Sequence, residues 1–523
     1  MPDSITIDSI DVSMSPRLRD TGKKPQSDTP FKILIMGDFS GRANRGLATD
    51  GSDLDQRPLF RVDRDNREAL MEKMAVSIRL PVTVDSSPPV HLAFNDMDDF
   101  HPEQIFFQTK LFQSIKAVRK RLMDPDTFAE TEARLSGGST LASDAPEDVP
   151  VQKPVAKKPD FSGEATAGLL DQVLDVSSHE PAGGRTTGIQ TDWDRFLGAI
   201  VRPHLTPDIE KKQDAMVAAV DRTISDTMRG ILHHPDFQAV ESAWRGLQFC
   251  LRRLETDEKV MVCLLNVSKT EIASDLTAHE DLRDTALYKR LASTSQQHRG
   301  DTPWALLAGM FTFSPSKADA VVLAQLGALG QILGAPFVGA AAPRGVNSSS
   351  SGEAPALSDW TFDPDPADRR AWQVLRTMPE AHWIGLALPR LMMRLPYGKE
   401  TDPVDAFAFE EMRDPVNHEH YLWANPVFAL VLVFGRTFGR YGWRWSKGFI
   451  SDVNDLPLHL VKDRGEMTNK ACAEVFLNDR ALERIIAEGL MPLVSFRDQP
   501  RIRLACLQSI AEPLRPLSGR WNP

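Results

Sequence analysis

Strand-like and helix-like patterns alternate along this chain, and that alternation predicts a mixed α/β (α+β) fold. Three stretches carry the prediction. Phe31 to Met36 (FKILIM) is a run of β-formers stopped by Gly37-Asp38, and Lys259 to Asn266 (KVMVCLLN) reads as a buried strand. Val321 to Leu333, rich in Ala, Leu and Gly, reads as a buried helix. The 523 residues are 41% hydrophobic and 25% charged, enough to build a large core in more than one domain.

Residues 1–30 form a polar extension in which Ile5 and Ile7, then Ile10 and Val12, alternate like a half-buried strand. A terminal strand without a partner either frays or adds to another sheet. After the first strand, Asp65 to Met74 has helical spacing with Asn66 at the cap position, and Leu70 and Met74 share one face. Pro81 to Val84 and Val90 to Phe94 alternate as two strands. Pro102 to Met123 reads as a single helix, with Ile105, Leu111, Ile115 and Val118 on one side. These elements close a first domain at residues 31–135.

Residues 136–164 are rich in Ser, Gly, Pro, Ala and mixed charge, so they read as a disordered linker. As a flexible coil the linker spans roughly 30 Å. Residues 165–190 hold an amphipathic helix and a connector, and Leu169, Leu170, Val173 and Leu174 form the helix's apolar face. From 191 to 523 the chain reads as continuously globular. Pro207-Asp208 opens a long helix to about Arg229, and a second runs from Pro235 to Leu254. Residues 343–359 read as a polar surface loop.

Composition excludes several function classes. The 61 basic and 72 acidic side chains give a net charge of −11, which argues against broad nucleic-acid binding. The amino terminus lacks the pattern of a signal peptide, and the longest apolar run, Pro426 to Phe434, falls short of the roughly 20 residues of a membrane helix. Cys250, Cys263, Cys472 and Cys506 form no CxxC pair, so they read as small buried hydrophobes in a reducing, cytoplasmic setting.

A search for chemistry finds no phosphate-binding glycine loop, no HExxH and no GxSxG. Asp363, Asp365 and Asp368 lack the glycine and glutamate of a calcium loop. His233 and His234 are adjacent, so their side chains diverge, and a helix amino-terminal turn running into Pro235 is the better reading. Glu410-Glu411 fits a solvated face or an arginine partner better than an acid/base pair. The expectation is a non-enzyme with no cofactor and no metal. What stands out is arginine among aromatics: Trp244 and Arg245, Arg390 and Arg394, and Trp423.

Those aromatic-rich marks carry a resemblance. ILIMGDFSG (Ile33 to Gly41), RPLFRVDRDN (Arg57 to Asn66) and FNDMDDFHPEQI (Phe94 to Ile105) resemble the small, TssB/VipA-like subunit of the type VI secretion contractile sheath. ILHHPDFQAVESAWRGLQF (Ile231 to Phe249), LLNVSK (Leu264 to Lys269), GLALPRLMMRLPYG (Gly385 to Gly398), FEE (Phe409 to Glu411) and YLWANPVFAL (Tyr421 to Leu430) resemble the large, TssC/VipB-like subunit. The chain therefore resembles a natural fusion of the two: two α/β modules joined by a flexible linker that holds them at an effective concentration of about millimolar.

The resemblance implies a structural role, as protomer of a tube that contracts to drive an inner needle. It implies as partners other sheath protomers, inner-tube protein, baseplate proteins and a ClpV-type AAA+ unfoldase, in the bacterial cytoplasm, with no nucleic acid and no membrane insertion. It marks Ile5, Ile7, Ile10 and Val12 as a candidate inter-protomer strand, and Leu169, Leu170, Val173 and Leu174 as a candidate unfoldase-binding helix. Trp244, Arg245, Arg390, Arg394 and Trp423 become packing residues of the family motifs. The large-subunit-like domain at 191–523 ends soon after Arg497, without the family's carboxy-terminal region. The alternative reading is a sheath-related accessory, a cap, baseplate adaptor or assembly modulator, that binds sheath subunits without polymerising alone.

Overall fold

A computed structural model describes residues 5–7, 10–12, 25, 28–81, 89–136, 212–296, 302–342, 365–413, 416–445, 448–463 and 466–521. The chain groups into two compact units. One comprises Met1–Val82, Pro88–Gln113 and Ile224–Pro523, the other Thr83–Ser87 and Ser114–Thr223. The mixed α/β expectation holds.

At the amino terminus, β1 (Ile5–Ile7) and β2 (Ile10–Val12) pair with each other as an antiparallel hairpin, Ile5 opposite Val12. The expected single strand is thus two short ones. The first unit is organised by a nine-stranded sheet. Its strands are β3 (Phe31–Gly37), β4 (Leu59–Val62), β7 (Val260–Asn266), β8 (Trp304–Phe313), β9 (Phe337–Ala341), β10 (Ile384–Leu388), β13 (Asp452–Val453), β16 (Met491–Ser495) and β17 (Ile502–Leu504). Their order is β13-β17-β16-β10-β9-β8-β3-β7-β4. From β16 to β7 neighbours run parallel, while β4 and β17 pair antiparallel at the two ends of that run.

The sequence reading does not anticipate where β3 lies. It pairs with β7 along its whole length, Phe31 opposite Val260 through Gly37 opposite Asn266, and with β8 on its other side. All seven of its residues are buried. A parallel strand flanked on both edges, with helices over the faces, reads as one unbroken apolar run, and FKILIM does so.

The helices that lie wholly within the first unit are α1 (Arg67–Lys73), α2 (Pro102–Gln108), α6 (Pro235–Arg253), α7 (Lys269–Ala278), α8 (Ala286–Gln296), α9 (Lys317–Leu333), α10 (Pro366–Thr377), α11 (Val427–Tyr441) and α12 (Asp479–Ala487). Helix α9 buries Leu323, Leu326 and Leu329 in a hydrophobic core cluster shared with β7 to β10. Its Gly327 is demanded by close approach, since a Cβ there would stand 2.6 Å from the Glu380 carbonyl oxygen. The smaller sheets are β5 (Ser77–Leu80) with β6 (Val90–Ala93), β11 (Leu391–Met392) with β12 (Trp423–Ala424), and β14 (Leu460–Asp463) with β15 (Glu466–Asn469).

One expectation needs correction, and a second lies mostly outside the described residues. Val90–Ala93 pairs with Ser77–Leu80, a strand followed directly by a proline that has no N–H to pair. Of the strand expected at Pro81–Val84, residues 82–84 lie outside the described residues, as do 85–88. The single helix expected at 102–123 breaks at Thr109, whose backbone is extended and whose hydroxyl donates to the Ile105 carbonyl. A separate α3 (Lys110–Met123) follows.

The second unit takes residues from α3, from α4 (Pro125–Ser136) and from α5 (Lys212–Leu232). Arg119 Nε donates to Asp221 Oδ1 at 2.5 Å, and Gln213 Nε2 donates to the Leu122 carbonyl at 2.8 Å. Ile115, Leu122, Leu135, Met216 and Val220 are among its buried side chains. The expected linker begins at the last residue of α4. Its remainder, the helix with Leu169, Leu170, Val173 and Leu174, and the loop at 343–359 lie outside the described residues.

Candidate functional site: the seam between the two sequence segments

The β3 strand belongs to the amino-terminal segment and its neighbours to the carboxy-terminal one, so the seam between them is where the molecule is assembled. The turn after β3 is built around Asp38. Its carboxylate accepts from the N–H of Ser40 (3.2 Å), Arg42 (3.0 Å) and Ala43 (2.8 Å). Gly41 adopts φ +72°, and a Cβ there would lie 2.4 Å from the Ser77 carbonyl oxygen. So folded, the turn presents Phe39: its carbonyl accepts from Trp244 Nε1 at 2.7 Å and its N–H donates to Asn266 Oδ1 at 3.0 Å. Trp244 is fully buried, so its indole N–H needs that partner.

A second pin is Glu271, at the third position of α7. Ser268 and Glu271 form a capping box: Ser268 Oγ accepts from Glu271 N–H, and Glu271 Oε2 accepts from Ser268 N–H at 2.8 Å. The other carboxylate oxygen reaches the amino-terminal segment. It accepts from Arg57 at 2.7 Å and from Thr49 N–H at 2.9 Å, and Arg42 lies 2.9 Å away. The Glu271 side chain is 0% exposed and that of Arg57 7%. Burial alone would push this carboxyl up, but the hydrogen bonds from Arg57, Thr49 and Ser268 outweigh it and hold it at about 2.

Further contacts tie the segments at other points. Glu103 on α2 accepts from the N–H of Asp405 (2.6 Å) and Ala406 (2.8 Å), beside a Phe106–Phe407 ring contact at 4.9 Å. Arg64 Nε donates to the Leu251 carbonyl at 2.8 Å, and Trp443 Nε1 donates to the Thr29 carbonyl at 2.8 Å.

Behind the seam, two ion-pair clusters hold the long connection from β10 to α11. Arg394 lies between Glu241 and Glu411, donating to Glu241 Oε1 at 2.8 Å and to Glu411 Oε2 at 2.6 Å. Arg245 donates to Glu241 Oε1 at 2.7 Å and to the Tyr397 hydroxyl at 3.0 Å. Burial would raise the Glu411 carboxyl, yet Arg394 together with the His233 ring, 3.5 Å away, and a hydrogen bond from Tyr397 N–H holds it at about 2. Burial pushes the Tyr397 hydroxyl up to about 12. In the second cluster Arg390 donates to Glu474 Oε1 at 2.5 Å and to Glu419 Oε1 at 2.9 Å. Trp423 sits alongside, 6.0 Å from the Arg390 guanidinium, with its Nε1 donating to the His418 carbonyl at 2.8 Å.

His418, Glu419 and Glu474 bring three donor atoms within 4.8 Å of one another. Arg390 already engages both carboxylates, and Lys470 Nζ lies 2.8 Å from His418 Nδ1. The carboxylates and the imidazole of this cluster are thus already engaged by the cationic side chains Arg390 and Lys470.

The structure thus brings Arg245 and Arg394 together and places Trp244 at the seam, with Arg390 and Trp423 paired nearby. Glu411 has the arginine partner expected of it. His234 caps α6 through Nδ1, accepting from Asp236 N–H, and Asp365 caps α10 by accepting from Ala367 N–H. Sequence reasoning missed Arg57, Glu241, Glu271 and Glu474. Only Glu271 had a local signal, the Ser-x-x-Glu spacing from Ser268. Among the described residues no helix is long and apolar enough to cross a membrane.

Comparison with known proteins agrees with this geometry. Residues 214–511 match the VipB family, described as a tail sheath N-terminal domain, and residues 10–137 match VipA of the type VI secretion system. A type VI secretion system sheath protein, TssC1 of Pseudomonas aeruginosa, is 32% identical over 315 residues, covering 59% of this chain. The chain spans 63% of that relative's length. The VipA-matching segment lays a strand between two strands of the VipB-matching segment, and the chain belongs to the VipB family of type VI tail sheath proteins and carries a VipA-type segment fused ahead of it.

Proposed function

We propose that this chain is a structural protomer of a type VI contractile sheath, with the small and large subunits supplied as one molecule. The observation that carries the reading is β3, buried between β7 and β8, because it makes the two segments one folding unit in fixed one-to-one ratio. No step of this role requires bond chemistry. Its partners are other sheath protomers, inner-tube protein and baseplate proteins, and its setting is the bacterial cytoplasm.

The β1–β2 hairpin is the candidate lacing element. For Ile5, Ile7, Ile10 and Val12 to add to a neighbour's sheet, three residue pairs of the hairpin must open, a small cost against a new ladder. Leu169, Leu170, Val173 and Leu174 remain the candidate grip for an AAA+ unfoldase. Electron microscopy of the purified protein, alone and mixed with cognate inner-tube protein, tests the reading. Tubules or striated filaments are expected. Discrete particles in both samples would overturn it in favour of an accessory that binds sheath subunits without extending them.

A further inference from the structure

The β14–β15 hairpin is a separate two-stranded sheet whose outer face carries two of the most exposed large apolar side chains of the described chain, Leu460 (58%) and Met467 (64%). Among the described residues, its attachments lie at its base, where Asn469 Nδ2 also donates to Asp498 Oδ1. His459 precedes it and Lys470 follows it, joined by a hydrogen bond from Lys470 N–H to the His459 carbonyl at 2.8 Å. Val461 packs on the small cluster of Met392, Tyr421 and Trp423. The Lys470 ammonium enters the body of the protein, 5.3 Å from the Tyr421 ring centre and 6.0 Å from that of Trp423, and ends on His418 Nδ1.

That last contact fixes the state of His418. An ammonium can only donate, so Nδ1 must present its lone pair, and Nε2 must carry the proton toward Glu474 Oε1 at 3.2 Å. The imidazole is wedged neutral between a cation and an anion, with its ring stacked on Trp423 at 4.9 Å. We propose that this hairpin is an acid-released flap, latched by the hydrogen bond from Lys470 to the unprotonated Nδ1 of His418. A proton arriving on Nδ1 takes the lone pair that Lys470 uses and sets two positive charges at hydrogen-bond distance, so the ammonium must leave and draw the hairpin base with it.

The other charged groups around the latch shape the response without duplicating it. Glu474 favours the imidazolium, but Arg390 already spends its charge and Arg390 also engages Glu419. His459 faces Tyr421, whose hydroxyl lies 2.9 Å from Nδ1, and Glu411 acts on both from a distance. Protonating His459 only reverses that bond, because a phenol oxygen can accept as well as donate. His418 is therefore the trigger. Burial, reinforced by Lys470 and Arg390 against Glu474, holds its pKa below the ordinary 6.5. A histidine depressed in the closed state stabilises that state above its ordinary value and ceases to do so as pH falls below it.

Hydrogen–deuterium exchange of the full chain between pH 7.5 and pH 5, corrected for intrinsic rates, tests the proposal. Protection of residues 456–472 is expected to fall about tenfold or more on acidification while β7 stays protected. His418→Gln, which keeps an amide partner but cannot gain charge, and Lys470→Met, which removes the like charge, should each abolish the pH response. Loss of protection shared equally by β7, or a pH response unchanged in both variants, would overturn it.

Discussion

Replacing Arg394 with leucine is expected to cost about 3–5 kcal/mol at neutral pH, the scale for stranding a partner of a buried pair. Arg394 is 8% exposed in its side chain, between Glu241 at 0% and Glu411 at 1%. Without the guanidinium, Glu411 keeps only the Tyr397 N–H at 2.7 Å and the neighbouring His233. Lysine should not rescue, because Arg394 contacts two carboxylates through three nitrogens at once. The sign of the pH dependence is distinctive. In the native protein the Glu411 pairing contributes fully above the ordinary value of 4.5 and is lost as pH falls through about 2. In the variant, unopposed burial raises that carboxyl, so it takes up a proton and the deficit shrinks on acidification. Urea unfolding of both proteins at pH 7 and pH 4 checks this, and a deficit that grows at pH 4 would contradict it.

Glu271→Ala is expected to cost at least as much, because one carboxylate serves two tasks. Losing its hydrogen bond to Ser268 N–H removes half of the α7 capping box, about 1 kcal/mol. Losing the charge leaves Arg57 and Arg42 without their shared acceptor, about 3–5 kcal/mol for a buried partner. Glu271→Gln separates the two: its single carbonyl oxygen can keep the cap, while the charge and the acceptor for Arg57 and Thr49 N–H are lost. Both variants should expose residues 42–57 to protease before the rest of the first unit. The native contribution is present above about 4.5 and lost as pH falls through about 2, so the variants should converge on the native protein in strong acid.

Local patterns were enough to place β3, β7, α6 and α9, because each buries a continuous or periodic apolar set that its own residues display. Asn66 was found at the amino-terminal cap of α1, although its side chain accepts from Asp63 N–H and makes no bond to the helix. The sheet order was not legible. Which strands flank β3 depends on pairings across more than two hundred residues, and an apolar run looks the same whichever neighbours it has. Nor could the seam's ion pairs be read, since Arg57 with Glu271 and Arg394 with Glu241 leave no periodic trace. The strand at Ser77–Leu80 was not anticipated, because its four residues carry no long apolar run and only the pairing with β6 defines it.

The central claim is that the two segments form one folding unit through β3. A specific protease site placed within residues 137–164 of the full chain, cut after purification, tests it most directly. The account predicts that both fragments stay together through gel filtration in physiological salt and separate only when the sheet unfolds, in a single denaturant transition. Two independently folded fragments that part on cutting would contradict it.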